Sequence, residues 1–153
     1  RPIAVLGNLP GASRLQTLDE GDVGGWNAMF AANLKTAVVS IKAALPRLLE
    51  SSAGRIINVG AGAAARPAGA GMGAYAASKA GVHKLTESLA AELKDRGITV
   101  NAVLPGTIDT PQNRAAMPNA DFARWVRHEA IAAVIAFLAS EQAAAVTGAL
   151  VPV

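Results

Sequence analysis

Residues 74–104 read AYAASKAGVHKLTESLAAELKDRGITVNAVL, and this stretch decides the fold. Its first part ends in Arg96-Gly97, a basic last turn followed by glycine, which is typical of a helix C-terminus. Its second part, Ile98–Leu104, is a short apolar run that Pro105-Gly106 stops. We therefore predict a helix from about Ala74 to Asp95 that leads directly into a buried strand.

The same alternation of strand and helix continues in both directions from this unit. The predicted strands are Ile3–Leu6, Arg55–Val59, Ile98–Leu104 and Ala149–Val153, and the other predicted helices are Trp26–Leu49 and Ala130–Ala139. Loops are expected at Gly60–Gly73 and at Thr107–Arg127. Strands that alternate with helices of this length predict βαβ units in one parallel sheet. The fold class is therefore α/β, with half of a doubly wound sheet in a single domain over residues 1–153.

Composition narrows the classes of function. The chain is 52% hydrophobic but only 4% aromatic, and such small apolar side chains suit close packing of helices on a sheet. Fourteen Lys and Arg against eleven Asp and Glu give a net charge of +3 with no basic run, so we expect no nucleic-acid partner. The apolar runs are short and no leader-like segment is visible, so we expect no membrane span and a cytoplasmic protein.

Cysteine and histidine usage limits the chemistry further. The absence of cysteine excludes disulfides, a thiolate nucleophile and sulfur-ligated metals. His83 and His128 are far apart and lack the spacing of metal ligands, so no metal site is expected.

Tyr75 and Lys79 are the first candidates for catalysis. They lie four residues apart on the predicted helix, so both side chains project from one face. A free tyrosine has a pKa of about 10 and is a poor acid or base at neutral pH. An adjacent ammonium favours the phenolate, so we expect Lys79 to lower the pKa of Tyr75 and fit it for proton transfer. A surface pair on a helix is the alternative interpretation.

Two further positions support a site at one edge of the sheet. Asn33 places an amide among apolar neighbours, where it needs hydrogen-bond partners. The segment Leu104–Thr110 leaves the carboxyl end of a predicted strand, which is where open α/β sheets bind ligands. Each also has an ordinary interpretation. Asn33 would be a polar residue that bends a helix, and Leu104–Thr110 would be a turn that ends a strand.

Together these residues resemble the short-chain dehydrogenase/reductase family, a family of nicotinamide-dependent oxidoreductases with a Rossmann-type fold. The resemblance covers essentially the whole chain and rests on the order and spacing of six motifs. The motifs are Asn8-Leu9-Pro10-Gly11, Trp26 with Asn33, Gly54–Val59, Tyr75–Gly81, Gly97–Val103 and Val146–Ala149. They correspond to the fourth to seventh strands of the family's sheet and to its active-site helix.

The resemblance implies a role for each candidate. Tyr75 would be the proton donor or acceptor, Lys79 would lower its pKa and hold the nicotinamide ribose, and Asn33 would anchor a water that continues the proton path. The residues expected to line the NAD or NADP cofactor, with NADH favoured, are Asn8, Tyr75, Lys79, Pro105, Gly106, Ile108 and Thr110. Family members also pair their two long helices, so we expect a homodimer or homotetramer through Trp26–Leu49 and Ala74–Asp95.

The N-terminus departs from the family pattern. Family members begin with a strand and a glycine-rich turn that presents backbone N–H groups to the pyrophosphate. This chain starts at what resembles the fourth strand. We therefore expect these residues to be the C-terminal part of a longer domain.

A second departure concerns the substrate. The family normally has a serine after its fifth strand that donates to the substrate carbonyl, whereas this chain has Gly60-Ala61-Gly62. The quinonoid dihydropteridine reductase branch tolerates that loss, and its members carry a loop similar to Thr107–Trp125. The resemblance thus implies reduction of a quinonoid dihydropterin. An ordinary ketone or alcohol substrate and a non-catalytic binding or scaffold protein are the two alternatives.

Overall fold

Four parallel strands form one sheet in the order β1-β2-β3-β4. They are β1 (Val5–Asn8), β2 (Gly54–Val59), β3 (Ile98–Leu104) and β4 (Leu150–Pro152). The computed structural model describes residues 4–9 and 11–153. Ile3, where the first strand was predicted to begin, and Pro10 in the following loop lie outside the described residues. The α/β fold class with a parallel sheet and flanking helices is confirmed.

Helices connect each strand to the next. They are α1 (Val23–Phe30), a π-helical turn (Ala31–Lys35), α2 (Thr36–Leu48), α3 (Gly62–Ala65), α4 (Gly73–Leu93), α5 (Pro111–Ala116) and α6 (His128–Ala139). Short 3₁₀ turns cover Lys94–Arg96, Phe122–Arg124 and Glu141–Ala143. The first helix starts earlier than the predicted Trp26, because the Asp22 side chain accepts a hydrogen bond from Gly25 N at 2.6 Å and caps Val23–Phe30.

Each face of the sheet buries its own apolar cluster, because successive side chains of a strand point to opposite faces. On one face Ile56 and Val100, which are register partners, pack with Leu48 from α2 and Leu93 from α4. On the other face Ile57 and Val103 pack with α6 through Ile131 and Leu138. Both faces are therefore covered, as an all-parallel sheet requires.

Two short helices lie in segments that were predicted to be loops. α5 begins where Thr110 accepts a hydrogen bond from Asn113 N at 3.0 Å, with Pro111 in the first turn. Threonine at the cap and proline at the first helical position form a recognisable start signal. The other, α3, has no side-chain cap, and its alanine-rich sequence gave no end signal of that kind.

The helical segment Val23–Leu48 is long and apolar enough to cross a membrane by length and composition alone. Length and composition do not overturn the prediction of no membrane span, which stays a prediction. Core helices of globular proteins meet the same criterion. Here Ile41 and Leu48 of this segment are buried in the core cluster against the sheet.

Candidate active site

Helix α4 carries Tyr75 and Lys79 to the carboxyl edge of the sheet. Lys79 is only 5% exposed, and its Nζ donates a hydrogen bond to the backbone oxygen of Val59 at 2.9 Å. Val59 is the last residue of β2, so the ammonium lies where that strand ends. Tyr75 is half-buried one helical turn earlier on the same face. The structure thus places both residues at the sheet edge where ligands bind in this class of fold.

Burial shifts the pKa values of both groups toward their neutral forms. Desolvation raises the pKa of the Tyr75 phenol above its ordinary value and lowers the pKa of the Lys79 ammonium. Burial thus opposes the expected lowering of the Tyr75 pKa by Lys79, and that expectation stays a prediction. The physical reason is that a low-dielectric environment penalises a phenolate and an ammonium alike, and Lys79 directs a hydrogen bond to Val59.

Asn33 lies in the π-helical turn and is 1% exposed. Its Oδ1 accepts from Ala12 N at 2.8 Å, while its Nδ2 donates to Ala12 O at 3.0 Å and to Ser78 Oγ at 2.9 Å. Ser78 Oγ in turn donates to the backbone oxygen of Tyr75 at 2.8 Å. The amide that the sequence singled out is thus satisfied, and it ties the loop after β1 to the helix that carries Tyr75.

Gly11 allows that loop to pass directly over the site. A Cβ atom at Gly11 would lie 2.8 Å from Lys79 Nζ and 3.1 Å from Asn33 Oδ1. Any larger residue would displace one of these two groups. The loop, Lys79 and Asn33 therefore form one packed unit, which the sequence alone did not reveal.

The residues that follow β3 are the other part of the predicted site. Pro105 is buried and its oxygen accepts from Gly62 N at 2.8 Å, while Gly106 N donates to Val153 O at 3.0 Å. Ile108 packs into the second core cluster and forms a bridge with Val126. The Thr110 oxygen is engaged as the cap of α5. All four predicted residues lie on the carboxyl side of β3, with Ile108 partly committed to the core.

Asn8 ends β1 at the same edge, but its side chain enters a buried polar chain. Its Nδ2 donates to Asn58 Oδ1 at 3.2 Å, and Asn58 Nδ2 donates to Thr86 Oγ1 at 2.9 Å. Thr86 Oγ1 then donates to Val82 O at 2.8 Å. This chain of hydrogen bonds joins two strands to α4 and fixes the position of the edge.

In the segment where a serine was expected, the three backbone N–H groups all donate within the protein. Gly60 N donates to Val103 O at 2.9 Å, Gly62 N donates to Pro105 O, and Ala61 N donates to His83 Nε2 at 3.3 Å. None of these three N–H groups is free to donate to a substrate oxygen. Residues 60–62 therefore offer no free backbone N–H group to a ligand.

Sequence reasoning missed the role of His83. It is 5% exposed, and its Nε2 accepts a hydrogen bond, so the imidazole is neutral. Desolvation lowers the pKa of His83, although Glu87 opposes that shift. A histidine on the same helix face as Lys79, four residues later, was the available signal.

The loop after β3 is held by an aromatic and ionic cluster. Arg114 donates to both carboxylate oxygens of Asp109, at 2.6 and 2.8 Å, and this pairing holds the pKa of Asp109 below its ordinary value. The guanidinium lies 4.6 Å from the ring centroid of Phe122, and that ring lies 4.7 Å from Trp125. These contacts cross-link the loop from Asp109 to Trp125.

Comparison with known proteins decides the family. A family model described as short chain dehydrogenase matches residues 1–121. The chain belongs to this family. A 3-oxoacyl-(acyl-carrier-protein) reductase, FabG, of Pseudomonas aeruginosa is 39% identical and aligns with 100% of the chain and 64% of its own length. The acetoacetyl-CoA reductase of Allochromatium vinosum is 32% identical, and the alignment covers 99% of this chain and 65% of the reductase.

A solved structure of the family agrees with the fold. The crystal structure of an oxidoreductase of the short chain dehydrogenase/reductase family from Burkholderia thailandensis superposes with a TM-score of 0.91 at 30% sequence identity. It matches 100% of this chain and 64% of that one. The chain thus spans less than two thirds of the length of the relatives that it matches.

The described residues fit the reactive half of a nicotinamide cofactor. Lys79 has three N–H donors, and the one hydrogen bond that it makes, to Val59, leaves others for a ribose hydroxyl. Gly11 keeps backbone close to Lys79 and Asn33 without a side chain. Among the described residues, no group of three or more His, Asp or Glu could hold a metal ion.

Proposed function

We propose that the protein is a cytoplasmic NAD(P)-dependent oxidoreductase in which Tyr75 exchanges a proton with the substrate oxygen. The observation that carries this proposal is the placement of Tyr75 beside a buried Lys79 at the carboxyl edge of the sheet. The bound nicotinamide would supply or accept the hydride. Lys79 would hold the ribose through its remaining N–H donors, and its positive charge would favour the phenolate once the site is complete.

In this proposal Asn33 orders the site. Its side chain is fully occupied with Ala12 and Ser78, so only its backbone is available to a water of the proton path. The π-helical turn supports that role, because such turns break the regular pairing of backbone carbonyls and are frequent at functional sites.

A ketone carbonyl is the first candidate substrate. FabG and the acetoacetyl-CoA reductase are named as reductases of 3-oxoacyl and acetoacetyl groups, and both align with nearly the whole chain. Tyr75 alone can protonate the developing alkoxide of such a substrate. Because a second donor is missing at Ala61, we expect lower turnover than in an enzyme that has serine there.

A quinonoid dihydropterin is the second candidate. The observation that favours it is the loss of every donor at residues 60–62, where the N–H groups are all bonded internally. A quinonoid ring is already electrophilic, so its reduction needs delivery of a hydride and a proton more than a hydrogen-bond donor that polarises a carbonyl. The loop Asp109–Trp125, which resembles that of the pteridine reductases, is consistent with this candidate.

Steady-state kinetics on the full-length protein test the proposal. Tyr75→Phe should lower kcat by roughly 10²–10⁴ while leaving the fold and cofactor affinity nearly unchanged, because it removes one general acid. Lys79→Ala should damage both turnover and cofactor binding. Equal activity of Tyr75→Phe and the wild type would remove Tyr75 from the reaction.

The two substrate classes are separated with Ala61→Ser. If ketones are the substrates, the added hydroxyl should raise their turnover, and acetoacetyl thioesters should be reduced by the unmodified enzyme. If the substrate is a quinonoid dihydropterin, the unmodified enzyme should reduce it efficiently and the variant should change little. Efficient ketone reduction without pterin activity would overturn the second candidate.

A further inference from the structure

A cavity of about 310 Å³ opens at the amino ends of β2 and β3. Arg55 and Thr99 form its buried part, and Ser52, Lys94 and Thr147 lie at its exposed rim. Tyr75 and Lys79 lie at the carboxyl ends of the same sheet. The cavity is therefore at the opposite edge from the candidate active site, and nothing in the proposed reaction uses it.

Arg55 brings an incompletely paired cation into this cavity. The residue is 5% exposed, and its Nη1 donates to Gly54 O at 3.1 Å. Its Nε is buried and has no hydrogen-bond partner among the described residues. A buried charged donor without a partner is costly, and such groups are normally paired or bind an ion.

Thr99 adds a second unpaired group beside the first. Arg55 and Thr99 are register partners in neighbouring parallel strands, so their side chains point to the same face. The Thr99 Oγ1 is buried and also lacks a partner in the part of the chain that the structure describes. Two adjacent strands thus present a guanidinium and a hydroxyl to one cavity.

The rim of the cavity carries a positive charge, as its buried part does. Lys94 is exposed in the 3₁₀ turn after α4 and lines the opening. The Thr147 Oγ1 accepts from Val100 N at 3.1 Å, which leaves its own proton available to donate. None of the described residues that line the cavity is acidic. The site offers cations and hydroxyl donors and no carboxylate to repel an anion.

We propose that this cavity binds a tetrahedral oxyanion, a phosphate group above all. A guanidinium and hydroxyl groups match the acceptor oxygens of phosphate, and an ammonium at the entrance attracts the negative charge. The anion is either free inorganic phosphate or the phosphate of a monoester. This proposal is independent of the oxidoreductase proposal, because it uses no residue of the candidate active site.

NMR titration of the isotopically labelled full-length protein tests the site, with cofactor at saturation to occupy the region that binds its own phosphates. Inorganic phosphate replaces chloride at constant ionic strength, and glycerol phosphate is titrated in parallel. We expect saturable shifts of the Gly97 and Thr99 amides, which lie at the cavity. Tighter binding of the monoester would identify an esterified ligand, and tighter binding of inorganic phosphate would identify the free ion.

Variants locate the binding. Arg55→Met should weaken phosphate affinity at least about tenfold, since it removes a charge-assisted hydrogen bond. Lys94→Gln should weaken it about two- to fivefold, because the rim charge is screened by solvent. Arg96→Gln is the matched control, since it removes one charge from the same turn but does not line the cavity.

Three results would overturn the proposal. They are the absence of saturable shifts at Gly97 and Thr99, equal weakening by Lys94→Gln and Arg96→Gln, and wild-type affinity in folded Arg55→Met. Should Arg55→Met fail to fold, Thr99→Val decides in its place. That variant removes only the unpaired hydroxyl, and it should weaken phosphate binding measurably while retaining the native spectrum.

Discussion

At the scale of single residues, the site depends on how a few polar groups are buried. Lys79 is an ammonium in the interior that donates to Val59 O, and Tyr75 is a phenol whose pKa burial raises. Burial raises the pKa of Tyr75 and lowers the pKa of Lys79, so it disfavours both the phenolate and the ammonium. A ligand that brings counter-charge and hydrogen bonds to this edge would therefore lower the pKa of Tyr75.

Gly60 is predicted to be intolerant of a side chain. A Cβ atom there would lie 2.6 Å from His83 Cδ2, so Gly60→Ala must displace the buried imidazole and break its bond with Ala61. Overpacking of this kind costs about 1–3 kcal/mol of unfolding free energy. Urea denaturation of the full-length protein measures it. The control is Gly69→Ala, whose nearest neighbour would be Met72 Sδ at 3.7 Å, and a similar loss there would contradict the explanation.

His83 should make stability depend on pH in the acid range. Burial lowers its pKa in the folded state below the ordinary 6.5, so the unfolded chain takes up a proton first as the pH falls. Stability from this residue is complete above pH 6.5 and declines below it, by at most about 1.4 kcal/mol per pH unit.

The measurement is urea denaturation at pH 7.5 and at pH 5.5 for the wild type and for His83→Gln. We expect the variant to lose less stability between the two pH values than the wild type does. An equal or larger loss in the variant would show that another group is responsible.

At the scale of elements, Asn33 joins three segments that are distant in sequence. It lies in the π-helical turn, bonds Ala12 in the loop after β1, and bonds Ser78 in α4. Asn33→Ala removes three hydrogen bonds and leaves the backbone groups of Ala12 without partners. We predict a loss of about 2–4 kcal/mol of unfolding free energy together with reduced turnover.

Ser78→Ala is the matched control for that prediction. It removes the hydrogen bonds to Asn33 and to Tyr75 O but leaves the loop after β1 attached. We expect a loss of about 1 kcal/mol and a smaller effect on turnover. If the two variants behave alike, the attachment of the loop is not what Asn33 contributes.

Elements with a clear period or end signal could be predicted from the sequence, and others could not. β2, β3 and α4 were placed within a few residues, because apolar runs ended by glycine or proline mark them. The start of the first helix was missed because its cap, Asp22, is followed by Val23 and two glycines rather than by an apolar stripe. α5 was missed although Thr110-Pro111 is a start signal, since its six residues are too few for a period.

At the scale of the whole molecule, the sequence predicted that the candidate residues lie at one edge of the sheet. It did not predict the contacts that these residues make with one another and with the loops. The family motifs brought Tyr75, Lys79 and Asn33 to one edge. They did not reveal the binding of His83 to Ala61 or the passage of Gly11 over Lys79. Those contacts depend on how loops cross between strands, which leaves no periodic pattern in a single sequence.

The outer faces of α2 and α4 carry the last prediction, which concerns assembly. Together they form an apolar groove whose floor, Ile41, belongs to the core cluster on the sheet. Its lining residues are Val38, Ile41, Lys42, Leu45, Leu85 and Leu89. Val38 is 40% exposed and Val39 is 57% exposed. Apolar side chains exposed along two long helices favour association, because pairing with a second copy removes them from water.

We predict that the full-length protein forms at least a dimer through this groove and that Val38→Asp weakens the dimer. A carboxylate buried in an apolar interface carries a desolvation cost that the partner helix cannot offset. Light scattering coupled to gel filtration at micromolar concentration should show the wild type as an oligomer and the variant shifted toward monomer. Leu18→Asp is the control, because Leu18 is 80% exposed in the loop before α1 and does not line the groove. A monomeric wild type, or equal dissociation of both variants, would contradict assembly through α2 and α4.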